Sequence, residues 1–280
     1  MSRPHHHIAC FGISDTGLQR TNNEDHFMVA DLTRHLIGVS ENQIVADVLH
    51  HEVGPQGTLL AVADGLGGYE GGEIASQIAV ETIVQTLFDP VNENKPLEAQ
   101  LSRAVEAAHH AICNHRQHEN GPPNMASTLT AVYIGDGIMT IVQVGDSRAY
   151  LLRDGKLTLI TEDQTFVNML QKRGMLTEEE AARHPNRHIV LQALGQENTV
   201  LPEMHHMPFQ HNDCLLLCSD GLSSYVSHEH IETILANEAD ESARCRSLIE
   251  AANACGGADN VTVLIARLMA FTAQEPSPVS

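Results

Sequence analysis

Residues 126–160, ASTLTAVYIGDGIMTIVQVGDSRAYLLRDGKLTLI, constrain the fold more than any other stretch. β-Branched residues nearly alternate along it and turn residues interrupt it at short intervals, the pattern of an antiparallel meander. Gly135-Asp136-Gly137, Gly145-Asp146-Ser147 and Arg153-Asp154-Gly155 supply the turns, because these residue types accept positive φ or hydrogen-bond their own backbone. Strands joined this closely argue against a doubly wound parallel sheet, whose crossovers are long.

Further strand patterns fall at 8–14, 26–31, 59–63, 214–219 and 261–267. Apolar residues recur every three or four positions through 71–88 and 96–118, which predicts helices there, with two more at 228–237 and 242–255. Meandering strands with long amphipathic helices clustered between them predict a layered α+β domain, two packed sheets flanked by helices. Residues 1–270 read as a single domain and 271–280 as a disordered tail. Two segments fit regular structure poorly. Residues 33–56 read as a long excursion, and 166–188, two short helical patterns separated by Arg-Gly-Met, read as a flap.

Charge and cysteine usage limit what such a domain does. Sixteen Lys and Arg against 36 Asp and Glu give a formal charge of −20, a field that repels nucleic-acid backbones and anionic membrane surfaces. Neither is expected as a partner, and an anionic substrate would need arginine or bound metal to reverse the potential locally. The six cysteines form no Cys-x-x-Cys pair and read as free thiols. No basic segment followed by an apolar one opens the chain, and no apolar run approaches ~18 residues, so a cytoplasmic monomer is expected. Among 18 histidines, His5 to His7 and the pairs His109/His110 and His205/His206 suggest zinc. None falls in His-Glu-x-x-His or is matched by clustered cysteines, and His110, His115 and His118 read as a polar helix face.

The acids carry the chemistry. Asp-Gly occurs four times, and at Asp136-Gly137 and Asp154-Gly155 it lies between strand patterns, where a hairpin turn accounts for it. Asp64-Gly65 and Asp220-Gly221 instead close apolar runs in two similar hexapeptides, AVADGL and LCSDGL. Asp259 stands just ahead of a strand in GGADNVTV, as Glu24 and Asp25 do in RTNNEDHF. Carboxylates at the ends of adjacent buried strands converge on one sheet edge, where they repel one another and resist desolvation. A hard divalent cation, Mg²⁺ or Mn²⁺, relieves both, and a glycine beside the acid lets a backbone carbonyl approach it. GLGGYEGG, beginning at Gly65, lacks the Gly-Lys-Ser/Thr of a Walker loop and the G-x-G-x-x-G register, so a phosphate cradle is set aside.

In sequence order the chain carries RTNNED, VADGLGG, STLTAV, VGDSRAYL, LITEDQTF, HPNRHIVLQALG, LLCSDGL and GGADNVTV. With this series, from about residue 8 to residue 268, it resembles the metal-dependent serine/threonine protein phosphatases of type 2C, the PPM family, in particular its compact bacterial members. The resemblance implies a four-layer αββα sandwich of two mainly antiparallel sheets flanked by helices, with a binuclear Mn²⁺ or Mg²⁺ centre at one end. It implies that Asp64 bridges both ions, that the Gly65 carbonyl binds one, and that Asp220 and Asp259 complete the other. Glu24 and Asp25 would bind or orient metal waters, and Arg20 would grip the substrate phosphate with its bidentate fork. Asp146 in VGDSRAYL matches an aspartate that helps hold a third, weakly bound ion in bacterial relatives, while a turn aspartate bonding to backbone amides accounts for it as well. The implied activity is hydrolysis of phosphoserine and phosphothreonine, in proteins phosphorylated by a cognate kinase, by a metal-activated water.

One position departs from the pattern. Some eukaryotic relatives carry a histidine, proposed as general acid, directly after the first Asp-Gly, and here that position is Leu66. His184 and His188, in HPNRH, lie near the end of the flap, where a structural role fits each as well as a catalytic one. Two rival readings remain: another metal-dependent phosphoesterase such as a nuclease, which the charge opposes, and a non-catalytic phosphoprotein-binding regulatory module, which the full set of acids opposes.

Overall fold

The computed structural model describes residues 6–39, 49–68, 70–92, 95–118, 121–196, 199–238 and 240–269. The chain begins with strands β1 (His7–Asp15), β2 (Asp25–Asp31), β3 (Leu36–Val39), β4 (Leu49–Glu52) and β5 (Thr58–Leu66). Helices α1 (Glu70–Phe88) and α2 (Leu97–His118) follow, then β6 (Ala126–Ser127), β7 (Leu129–Gly135), β8 (Ile138–Val144), β9 (Arg148–Arg153) and β10 (Lys156–Leu159). Two short helices, α3 (Phe166–Lys172) and α4 (Glu178–Ala182), precede β11 (Glu203–Pro208) and β12 (Cys214–Cys218). Helices α5 (Asp220–Ser223), α6 (His228–Asn237) and α7 (Glu241–Ala254) lead into β13 (Val261–Met269).

The strands form two sheets, in the orders β10-β9-β12-β13-β1-β4 and β11-β8-β7-β5-β2-β3, with β6 paired to the end of β5. Each pairing is antiparallel. Period-two alternation turns one side of each central strand toward the other sheet and the other side toward a helix layer. Ile8 and Cys10, Phe27 and Val29, Leu60 and Val62, and Leu264 and Ala266 fill the space between the sheets. Their alternates Met28, Ala30, Leu59 and Ala61 pack with Ile83, Leu101 and other apolar residues of α1 and α2. Phe11, Ile13, Val263 and Ile265 pack instead with Ile231, Leu235 and Leu248 of α6 and α7. The fold is therefore the expected αββα sandwich. Because its central strands are buried on both faces, they read as continuous apolar runs.

The structure revises several local expectations. Gly135-Asp136-Gly137 and Arg153-Asp154-Gly155 are hairpin turns, with Asp136 and Asp154 at φ of 49° and 52°, as a two-residue type I′ loop requires. Gly145-Asp146-Ser147 is not one: β8 and β9 lie in different sheets, so the expected single meander is two hairpins joined by a crossover. β5 extends past residue 63 through Asp64 and Gly65, because Leu66 and Gly65 pair with β6. The 33–56 excursion contains β3 and β4, the edge strands of the two sheets, while residues 40–48 lie outside the described residues, as do His5 and the tail at 271–280. β11, an edge strand reading EMHHMP, was not expected, since exposed histidines mask its alternation. All six cysteines are free thiols. Among the described residues no helix is long and apolar enough to cross a membrane.

Candidate metal centre

Strand direction brings the acids to one end of the sandwich. Asp25 opens β2 directly opposite Asp64, near the end of β5. Asp220 follows β12, Asp146 follows β8, and Asp259 precedes β13. In antiparallel sheets these starts and finishes fall on the same edge.

A frame of neutral groups holds them there. Ser219, wholly buried between β12 and α5, donates its hydroxyl to Asp25 Oδ2 at 2.6 Å and accepts the Thr262 N–H at 2.9 Å. Asn23 Nδ2 donates to Ser14 Oγ, which is 2.7 Å from Thr262 Oγ1. Asp64 N–H donates to Thr128 Oγ1 at 2.9 Å, and Thr128 meets Ser147 Oγ at 2.8 Å. Asn260 accepts the Glu24 N–H at 2.8 Å and donates to the carbonyls of Thr16 and Asn22, tying the loop of Arg20 and Glu24 to β13. None of Ser219, Thr128 or Asn260 received a role from the sequence. All three lie inside the quoted motifs, and a polar residue interrupting an apolar run was the available signal.

The electrostatics are those of acids lacking a counter-charge. Burial first, then Asp220 and Asp259, pushes Asp25 up to about 7 against the lowering hydrogen bond from Ser219. Burial and Asp220 push Asp146 up to about 7, and burial with Asp259 pushes Asp220 up to about 6. Asp64 is raised well above the carboxylate range by burial and by Asp25, Asp220, Asp146 and Asp259 together. Among the described residues no three His, Cys, Asp or Glu side chains close on a common point. The acids stand within Coulombic range without meeting, as like charges do. Asp25 is buried and the other acids are half-buried, and only Asp259 is paired with an arginine, so this all-oxygen donor set fits a hard divalent cation.

Arg20 pairs with Asp259 (Nε to Oδ1 and Nη2 to Oδ2, both 3.0 Å) and is half exposed. Burial lowers its proton affinity, but Asp259, Glu24 and Asp64 raise it by more. Glu24 is raised by burial, against the pull of Arg20. Its carboxylate lies where a Cβ at Gly72 would stand, and Gly65 in turn abuts the Gly72 carbonyl, so both positions require glycine. Leu66 lies in β5 beside Ala126. A cleft of about 700 Å³ runs from Asp146 and Asp220 beneath α3 and α4, and Arg148, Asp163, Arg187 and His188 line it. His188 is lowered by burial and Arg187 and raised by Asp259, so this end of the flap approaches the acids. His184 instead accepts the Asn186 N–H at 3.1 Å and lies 6.0 Å, ring to ring, from Phe166, a local structural role.

Known proteins resemble this chain over most of its length. Residues 38–260 match the family model described as protein phosphatase 2C. Serine/threonine protein phosphatase PstP of Mycobacterium tuberculosis is 38% identical over 268 residues, 95% of this chain, which spans only 46% of that protein's length. Serine/threonine phosphatase stp of Listeria welshimeri is 36% identical over 213 residues, 74% of this chain and 83% of that protein. A structure of the PstP catalytic domain in complex with two manganese ions superposes with a TM-score of 0.75 at 35% identity, covering 94% of this chain and 100% of that one. Fold, ordered motifs and these matches together establish that the chain belongs to the protein phosphatase 2C family.

Proposed function

We propose that this chain is a protein serine/threonine phosphatase that hydrolyses phosphoserine and phosphothreonine with water, at a centre holding two Mn²⁺ or Mg²⁺ ions and a third, weaker one. The observation that carries the reading is the group Asp25, Asp64, Asp146 and Asp220, brought to one end of the sheets with Asp25 buried and the others half-buried, their proton affinities raised by desolvation and by one another. In this reading Asp64, the Gly65 carbonyl, Asp220 and Asp259 would hold the two ions, and Asp146 with Asp220 would hold the third. The PstP complex with two manganese ions supports it. When bound, such ions supply an acidified water and neutralise charge on the phosphoryl oxygens.

The remaining roles belong to the chain itself. Glu24 and Asp25, fixed by Asn260 and Ser219, orient water at the edge of the acids. Arg20 grips the phosphate. Its half-exposed fork rests on Asp259 and holds two coplanar donors, which suit a bidentate phosphate contact. Leu66 offers no proton, so protonation of the leaving oxygen falls to water in the cleft. The flap, 166–188, contacts the polypeptide around the phosphoresidue within a single domain spanning 1–270. Substrates are phosphoproteins made by a cognate kinase, and the protein acts as a cytoplasmic monomer. Hydrolysis of p-nitrophenyl phosphate and of phosphothreonine peptides, measured with Mn²⁺, with Mg²⁺ and in excess EDTA, tests this. Activity on both substrates only with metal, and none on DNA or RNA, is expected. Full activity in EDTA would refute the metal mechanism.

A further inference from the structure

The segment leading into α3, residues 161–164, is fastened residue by residue to the crossover that carries Asp146 and its flanks. Ala149 N–H donates to Thr161 Oγ1 at 3.0 Å, and Glu162 N–H donates to Gln143 Oε1 at 3.0 Å. Asp163 accepts both arms of the Arg148 fork, at 2.8 and 2.7 Å. Gln164 is bound twice: its Oε1 accepts the Gly145 N–H at 2.8 Å, and its own N–H donates to the Gly145 carbonyl at 3.0 Å. On the far side its carbonyl accepts the Leu191 N–H at 2.7 Å, so the same residue closes the base of the flap.

The crossover needs such support. Gly145-Asp146-Ser147 passes between the sheets, and no ladder sets its backbone there. Gly145 stands at φ 101°, outside the range of ordinary side chains. Side chains hold it: Gln143 Nε2 donates to the Gly145 and Ser147 carbonyls, both at 3.2 Å, and Thr130 Oγ1 donates to the Ser147 carbonyl at 2.7 Å. Of these supports, Gln164 is the one that also bonds the far end of the flap, and it stands two residues ahead of that flap. Its Nε2 is buried without an acceptor. A glutamate would offer Gly145 the same oxygen without that orphan donor, but would add a carboxylate between Asp146 and Asp163.

We propose that Gln164 is a positioning residue that couples the flap to Asp146, so that displacement of the flap base re-aims the acid. The coupling follows from the hydrogen bonds above; its effect on metal requirement rests on the phosphatase reading. The test uses Gln164→Met, which keeps the volume and removes the acceptor, and Gln164→Glu, which keeps the acceptor. Hydrogen exchange of the metal-free protein comes first. Gln164→Met should speed exchange at Gly145 and across 165–172 in parallel, by about tenfold for one lost hydrogen bond, while Gln164→Glu leaves Gly145 protected. Faster exchange in the flap alone, or Gly145 exposed equally by both variants, would overturn the coupling. In activity, Gln164→Met should raise the half-saturating Mn²⁺ several-fold for p-nitrophenyl phosphate, with no further effect in an Asp146→Ala background. Full additivity in that cycle would also overturn it. A wild-type protein without metal-dependent hydrolysis would refute the phosphatase reading instead, and the exchange measurement would still decide the coupling.

Discussion

Without metal, the buried acids make folding weaken as pH rises, and Asp25→Asn isolates one of them. Asp25 is buried and stands at about 7, against 3.8 in an unstructured chain. Between those values the folded protein keeps a proton that the unfolded chain releases. The stability this contributes is complete below about pH 4 and is lost as pH passes through about 7. About three pKa units at 1.36 kcal/mol each amount to about 4 kcal/mol by pH 8. Asparagine retains an oxygen for the Ser219 hydroxyl, which now donates at 2.6 Å, and removes the charge. In EDTA at pH 8 the variant should therefore melt above wild type by up to about 4 kcal/mol, or about 8–16 °C at ~2–4 °C per kcal/mol for a chain of this size. Because Asp25, Asp64, Asp146 and Asp220 titrate together, the fall of Tm with pH becomes shallower in the variant without vanishing. Thermal scans in EDTA from pH 5 to 8.5, repeated in Mn²⁺, measure this. With metal the gap should narrow, since a ligand at 100 times its Kd stabilises by about 2.7 kcal/mol and wild type binds it more tightly. A wild-type Tm in EDTA that is flat or rises over this range, or a variant melting lower at pH 8, would refute the reasoning.

Four further outcomes are expected. Asp64→Ala should abolish turnover, whereas Asp154→Ala, in a hairpin turn at φ 52°, should leave kcat unchanged and cost at most about 1 kcal/mol of stability, since aspartate tolerates the left-handed region better than alanine; kinetics and melts on both variants check it. Asp146→Ala should keep the fold, lower kcat and raise the Mn²⁺ needed for half-maximal activity; an unchanged titration with normal kcat would return it to a purely structural role. Replacing 166–188 by a short linker should raise KM for phosphopeptides more than for an aryl phosphate, and equal losses on both would count against the flap. Gly65→Ala should destabilise by about 1–3 kcal/mol through overpacking, because its Cβ would meet the Gly72 carbonyl and the Glu24 backbone; a normal melt would show that the loop gives way.

The sandwich was legible because its two helix layers and its strands obey different periods, and α6 was found at its observed bounds. What escaped was the partner of each strand. Asp146 reads as a hairpin residue since its flanks alternate correctly on both sides; nothing in the local pattern records that β9 joins β12 instead of returning to β8. The acids themselves were visible as charges ending apolar runs. Their supports were not, because Ser219, Thr128 and Gln143 are short or neutral residues whose meaning depends on strands far away in sequence. β11 was missed because an edge strand with exposed His205 and His206 buries too little to show a period.

The distribution of arginines explains why this end of the fold can hold a cation at all. Arg148 forks onto Asp163, and Arg153 forks onto Asp213. These acids are thereby neutralised within the chain. Among the described residues no lysine or arginine hydrogen-bonds Asp25, Asp64, Asp146 or Asp220, and the frame around them consists of hydroxyls, amides and backbone N–H groups. A neutral donor orients a carboxylate without cancelling its charge, so those four acids stay available to an external cation. Asp259 is the exception, and its partner Arg20 is half exposed and can leave.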